Sequence, residues 1–143
     1  MPLLKCLLDT NTISDRLRGE QAVVEWIQEH GDQAAISTLT LAEMRRGIEL
    51  RPEGKARREL EKQFRFTLED FAGAIWVFDE AAAAEWGRLM AEARSRNRPL
   101  PFADSLIAAV ARSMGAQVVT RNHEDFPGCD RLDPWTGLGH SAW

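Results

Sequence analysis

The sequence predicts an α/β domain whose parallel sheet of four to five strands is covered by helices on both faces. Three observations carry this. Short apolar runs alternate with longer amphipathic segments along the chain, which is the signature of successive βαβ units. The runs have the length and composition of buried strands. The 143 residues fit one domain spanning residues 1–143, enough to bury about 68–70% of the unfolded surface.

The elements follow in order. Leu3–Leu8 is a short apolar run ending at Asp9-Thr10-Asn11-Thr12, a strand followed by a turn and a helix start. Residues Glu20–His30 place Val23, Val24, Trp26 and Ile27 at helical spacing, and Gly31 stops the helix. Ala34–Ser37 is the second strand. Thr40–Leu50 is a helix with Leu41, Met44, Ile48 and Leu50 inward, closed by Pro52 and Gly54. Lys55–Phe71 is a more polar helix with Leu60, Phe64, Leu68 and Phe71 on one stripe. Ile75–Phe78 is a strand rich in β-branched and aromatic residues. Asp79 caps the helix Glu80–Arg96. A stiff Arg98-Pro99-Leu100-Pro101 connector leads into the helix Phe102–Met114, which Gly115 terminates. Gln117–Thr120 is the fourth strand and Arg131–Leu132 a short fifth.

Composition bounds the function. Hydrophobic residues make up 44% and charged residues 28%, which excludes a disordered chain, a collagen-like repeat and a disulfide scaffold. The net charge of -4 argues against coating nucleic acid by bulk charge. Cys6 and Cys129 lack metal-site spacing, and so few cysteines point to a reducing cytoplasm. The opening run is too short for a secretory leader, and no stretch approaches the ~20 apolar residues of a membrane span.

The chemistry-bearing residues are carboxylates, each with a plain structural reading. Asp9, directly after the first strand, reads alone as a turn or cap residue. Glu43 fits a capping box with Thr40. Asp104 lies one turn into its helix, where the dipole favours an acid. Yet its helix is otherwise almost wholly apolar, so this carboxylate sits at a sheet edge rather than in open solvent. Asn122 and Asp125 follow the fourth strand, while Glu124 and His123 read as loop solvation. In a parallel sheet, ligands sit at the carboxyl ends of strands, and that rule gathers Asp9, Ser37–Glu43 and Thr120–Asp125 on one edge. Two carboxylates ~4 Å apart repel by ~4 kcal/mol at an effective dielectric of 20. Several together titrate abnormally unless a cation lies among them. All-oxygen donors select Mg²⁺ or Mn²⁺ over zinc.

At this point the pattern resembles a known family. Leu7-Leu8-Asp9-Thr10-Asn11-Thr12-Ile13-Ser14, Ser37-Thr38-Leu39-Thr40-Leu41-Ala42-Glu43-Met44-Arg45-Arg46-Gly47, Ala103-Asp104-Ser105-Leu106-Ile107-Ala108-Ala109, and Val119-Thr120-Arg121-Asn122 with Asp125-Phe126 are similar to the four motifs of PIN-domain ribonucleases. Phe78-Asp79-Glu80 and Asp133-Pro134-Trp135 bring the chain close to VapC-type toxins, including the FitB-like branch. The resemblance implies a three-layer α/β/α sandwich and a Mg²⁺-dependent endoribonuclease that is usually dimeric. It also implies a cognate antitoxin and a toxin–antitoxin complex that binds operator DNA through the antitoxin. By motif, Asp9, Glu43 and Asp104 form the acidic triad. The fourth place falls to Asn122 or to Asp125. Asp9 and Asp104 hold the ion, Glu43 or Asp104 activates the attacking water, and Thr10 and Asn11 bond the phosphate or fix a carboxylate.

Residues 45–65 hold eight basic and four acidic side chains, a local charge of +4 against -8 elsewhere. With Arg94, Arg96 and Arg98 they suit either phosphate positioning or an antitoxin helix. The plain reading is a solvated face of pairs such as Arg57–Glu61. Two rival functions stand beside the ribonuclease. One is a non-catalytic partner of a DNA-binding antitoxin. The other is a haloacid-dehalogenase-like phosphatase, against which Asn11 stands where that motif has its second aspartate.

Overall fold

The computed structural model describes residues 5–143. Leu3 and Leu4 of the expected first strand, and the first half of the opening run read against a leader, lie outside them. Six strands are formed: β1 (Cys6–Leu8), β2 (Ala34–Ser37), β3 (Ile75–Trp76), β4 (Gln117–Val119), β5 (Arg131–Leu132) and β6 (Gly139–His140). Their order across the sheet is β3-β2-β1-β4-β5-β6. All neighbours are parallel except β5 and β6. The sheet is therefore mixed, and one strand larger than the four to five expected. The helices are α1 (Thr10–Leu17), α2 (Gln21–His30), α3 (Thr38–Glu49), α4 (Lys55–Asp70), α5 (Glu80–Ser95) and α6 (Phe102–Ser113).

Strand alternation divides the core into two layers. Leu7, Ala35 and Val118 point to one face, where Ala82 and Leu89 of α5 and Ile107, Ala108 and Ala111 of α6 cover them. Cys6, Leu8, Ala34, Ile36 and Val119 point to the other, against Ile13 of α1 and Val23, Trp26 and Ile27 of α2. This successive-residue switch is the period of two of a strand. It makes the sheet the middle of three layers. Leu7 and Leu8 are both fully buried, each stabilising the fold by roughly 1.5–3 kcal/mol.

Several ends fall where local chemistry sets them. The Oδ1 of Asp79 accepts from the Ala82 amide at 2.9 Å and caps α5. Gly115, at φ +64°, ends α6 in a Schellman turn: Ala116 N–H bonds Ala111 O at 2.9 Å and Gly115 N–H bonds Arg112 O at 3.2 Å. Gly128 has φ +87°, and a Cβ there would collide with Leu89 and crowd Trp143.

Three further expectations are corrected. β3 stops at Trp76 because it is an edge strand paired with β2 alone, and Val77 is exposed. Leu50 lies beyond α3 and is exposed. Phe102, counted with the apolar residues of its helix, is 69% exposed. Trp143 packs against the core, its ring centroid 4.5 Å from the Arg96 guanidinium carbon.

Candidate active site

Asp9 leaves β1 and enters α1. Its backbone is extended (φ -75°, ψ 170°), and its Oδ1 accepts from the Thr12 amide at 2.8 Å, so the plain cap reading is true of it. It is also only 2% exposed. Burial pushes its carboxyl above the ordinary range, partly offset by hydrogen bonds from Thr12 and Thr120, while the charge of Asp15 adds to the rise. Two bonds to β4 fix the turn: Asp9 N–H to Val119 O at 3.1 Å and Thr12 Oγ1 to Val119 O at 3.0 Å.

Glu43 does not serve a capping box. α3 begins two residues earlier than expected, and Ser37 is its cap, its Oγ accepting from the Thr40 amide at 3.4 Å. Thr40 is thus inside the helix, and Glu43 reaches across to α1. Thr10 Oγ1 donates to Glu43 Oε1 at 2.7 Å and lies 3.0 Å from Thr40 Oγ1. Of the two roles open to Thr10, this contact is the fixing of a carboxylate. Asn11 is exposed on the same first turn.

Asp104 is the third residue of α6. Its carboxyl is pushed up to about 7, first by burial and then by the charges of Asp125, Asp9 and Glu43. That coupling brings four carboxylates from α1, α3, α6 and the loop after β4 to one edge. The fourth charge is that of Asp125. A single 3-10 turn over His123–Asp125, closed by Asp125 N–H to Asn122 O at 2.9 Å, carries Asp125 back toward α6. Asn122 is half-buried, and its amide donates to Thr120 Oγ1 at 2.9 Å.

Asp15 was not singled out from the sequence, and Thr120 and Ser105 stood there only as members of the site edge and of a motif. Asp15 is 1% exposed and pairs with Arg18 and, at 3.5 Å, with Arg121. It shares a helix face with the buried Thr12, three residues before it, but nothing in the sequence marks that face as buried. Ser105 is fully buried; its Oγ accepts from Trp86 Nε1 at 2.9 Å and donates to Phe102 O at 2.6 Å, so it anchors α6 beside α5. A groove of about 510 Å³, lined by Thr10, Ser14, Arg18, Glu43 and Arg51 among others, opens beside the cluster. In the basic segment Arg57 lies within 4 Å of Glu49, Glu53 and Glu61, as the paired-face reading requires. Among the described residues Arg46, Arg51, Lys55 and Arg58 make no ion pair.

The donor set fits a hard divalent ion. It is all oxygen, and Asp104 faces three acids whose repulsion such an ion would relieve. Among the described residues no three His, Cys, Asp or Glu side chains close into a ready cage. A site of one or two carboxylates completed by waters, the usual arrangement for Mg²⁺, needs no such cage.

The raised Asp104 carboxyl has a stability consequence. Below pH ~4 the group is protonated whether the chain is folded or unfolded, and contributes nothing. As pH rises toward about 7, the unfolded chain ionises it first, so folding loses stability. Without divalent ion, Asp104→Asn therefore gains on the wild type between pH 4 and pH 8 in thermal melts. A gap that stays constant or narrows over that range contradicts the coupling.

With this geometry in view, the profile described as the PIN domain matches residues 6–131. The VapC ribonuclease Y4jK of Sinorhizobium fredii is 34% identical over 135 residues, covering 90% of this chain and 96% of that protein. Toxin FitB of Neisseria gonorrhoeae is likewise 34% identical, covering 90% and 97%. A solved structure of FitAB bound to an IR36 DNA fragment superposes with a TM-score of 0.80 at 33% identity, over 94% of this chain and 98% of that one.

Proposed function

The chain belongs to the PIN domain family, and we propose that it is a metal-dependent endoribonuclease toxin, restrained by an antitoxin. The observation that carries the chemistry is the shared field of Asp104, Asp9, Glu43 and Asp125. We read residues 1–143 as one catalytic domain. Asp9 and Asp104 are the residues that would hold the ion, Mg²⁺ or Mn²⁺ by their oxygen donors. When bound, that ion supplies positive charge against the phosphate's non-bridging oxygens and acidifies a water.

The chain's own groups do the rest. Asp9 is held by the Thr12 amide, so it meets the site in one orientation. Glu43, fixed by Thr10, takes the proton of the attacking water or aims it in line with the scissile bond. Asp125 raises the proton affinity of Asp104, which adjusts how readily the site charges near neutral pH. Attack by water leaves a 5′-phosphate and a 3′-hydroxyl. Asn11, exposed beside Asp9, is placed to bond the phosphate.

The antitoxin reading follows from the likeness to Toxin FitB and to FitAB on DNA; by the same likeness, the complex binds operator DNA through the antitoxin. We place the chain in the cytoplasm as a pair of protomers. Its two cysteines are free and buried, which suits a reducing compartment. Among the described residues no helix is long and apolar enough to cross a membrane.

The test is direct. Purified chain with Mg²⁺ cuts a pool of cellular RNA, EDTA stops the cleavage, and added Mg²⁺ or Mn²⁺ restores it. Undiminished cleavage in chelator contradicts the metal mechanism. An uncut pool in Mg²⁺ favours the non-catalytic partner instead.

A further inference from the structure

Resting on the ribonuclease reading, we propose that Arg121 and Trp135 form a grip for single-stranded RNA at the rim of the acidic edge. The guanidinium takes the phosphate next to the scissile one, and the indole stacks on a neighbouring base. Neither residue belongs to the carboxylate cluster.

Topology puts them there. β4 and β5 run parallel, with Val119 opposite Leu132, so the segments that follow both strands emerge on the edge where Asp9 lies. Thr120 N–H bonds Leu132 O at 2.9 Å and fastens the two exits together. Thr120, the first residue after β4, lies beside Asp9, and Arg121 comes next. Trp135 is the third residue after β5. The Arg121 guanidinium carbon stands 5.6 Å from the Trp135 ring centroid.

Both side chains are anchored on one side and open on the other. Arg121 reaches Asp15 Oδ1 at 3.5 Å, while its side chain keeps 42% exposure. Asp15 is buried, and its charge acts on Asp9, which ties the guanidinium to the catalytic turn. A single contact of that length leaves most of the five guanidinium N–H donors for a second anion. Trp135 is 39% exposed on a turn closed by three bonds: Trp135 N–H to Asp133 Oδ1 at 2.8 Å, Gly137 N–H to Asp133 O at 2.7 Å, and Asp133 N–H to Leu138 O at 2.9 Å.

The chemistry selects the ligand. Four carboxylates repel a polyanion, so RNA needs an anchored cation close to them. A cation beside an open aromatic face is how proteins hold single strands without reading their sequence. The strand-end edge is also where the scissile phosphate has to lie.

The experiment uses the full chain carrying D104N, which removes cleavage, and a short fluorescein-labelled single-stranded RNA in Mg²⁺ buffer. R121A should weaken binding roughly tenfold and flatten the slope of log affinity against log salt by ~0.7, the loss of one phosphate contact. R121K should keep the slope. W135A and W135L should each weaken binding roughly tenfold, W135F should recover most of it, and none should change the slope. Equal RNA affinity in R121A, W135L and the D104N parent, at unchanged melting temperature, overturns the grip. So does a W135L variant that binds as well as W135F, since leucine packs but does not stack. Loss of antitoxin binding with RNA binding intact reassigns the surface to the protein partner and also overturns it. A D104N parent that binds no RNA, together with wild-type chain that cuts none, removes the ribonuclease reading itself.

Discussion

Asp104→Asn lowers RNA cleavage by roughly 10²–10⁴-fold, the range for loss of a group acting on the reacting centre, and leaves the fold intact. Among the described residues the Asp104 carboxylate makes no hydrogen bond or ion pair, so the amide breaks no contact. What it removes is the charge that shares the edge with Asp9, Glu43 and Asp125. Cleavage of labelled RNA, with circular dichroism as the control on folding, checks it. A folded D104N that cuts RNA at the wild-type rate takes Asp104 out of the mechanism.

Asp9 caps α1 and in the proposed mechanism also holds the ion, and substitution separates the two. Asp9→Asn keeps an oxygen for the Thr12 amide, whereas Asp9→Ala removes the cap of α1 and leaves that amide unpaired. Both variants should lose cleavage by a factor similar to that of D104N. Only the alanine variant should also lose about 0.5–2 kcal/mol of stability relative to the asparagine variant. That is a fall of about 2–4 °C per kcal/mol for a chain of this size. Denaturant unfolding of the two proteins measures the difference. Equal stabilities mean that the cap contributes nothing, and retained cleavage in D9N means that the charge is dispensable.

Residues whose meaning is local were legible in the sequence. β2 runs over Ala34–Ser37 as expected, Asp79 caps α5, and Gly115 ends α6. Asp9 stood out at a strand end, and Asp104 as the acid on an apolar helix. Features that depend on distant partners were not legible. β6 contains Gly139 and His140 and has no apolar run; it forms by backbone pairing with β5, aided by buried Arg131, which donates to Ser141 O. Glu43 was found as an acid and given the wrong partner, because Ser37 and Thr40 are both good caps and only the contact with Thr10 decides between them. How Asn122 and Asp125 lie relative to α6 depends on one 3-10 turn that the sequence does not show. Asp15 reads as an ordinary helix acid until its burial and its link to Arg121 are known.

The central claim is that acids distant in sequence converge to hold a hard divalent ion. Titration of Mn²⁺ into the wild-type chain and into D104N, followed by water-proton relaxation, tests it most directly. The account predicts saturable binding to the wild type that strengthens from pH 6 to pH 8, is competed by Mg²⁺, and is weakened at least tenfold in D104N. Equal Mn²⁺ affinity in the two proteins, or none in either, contradicts it.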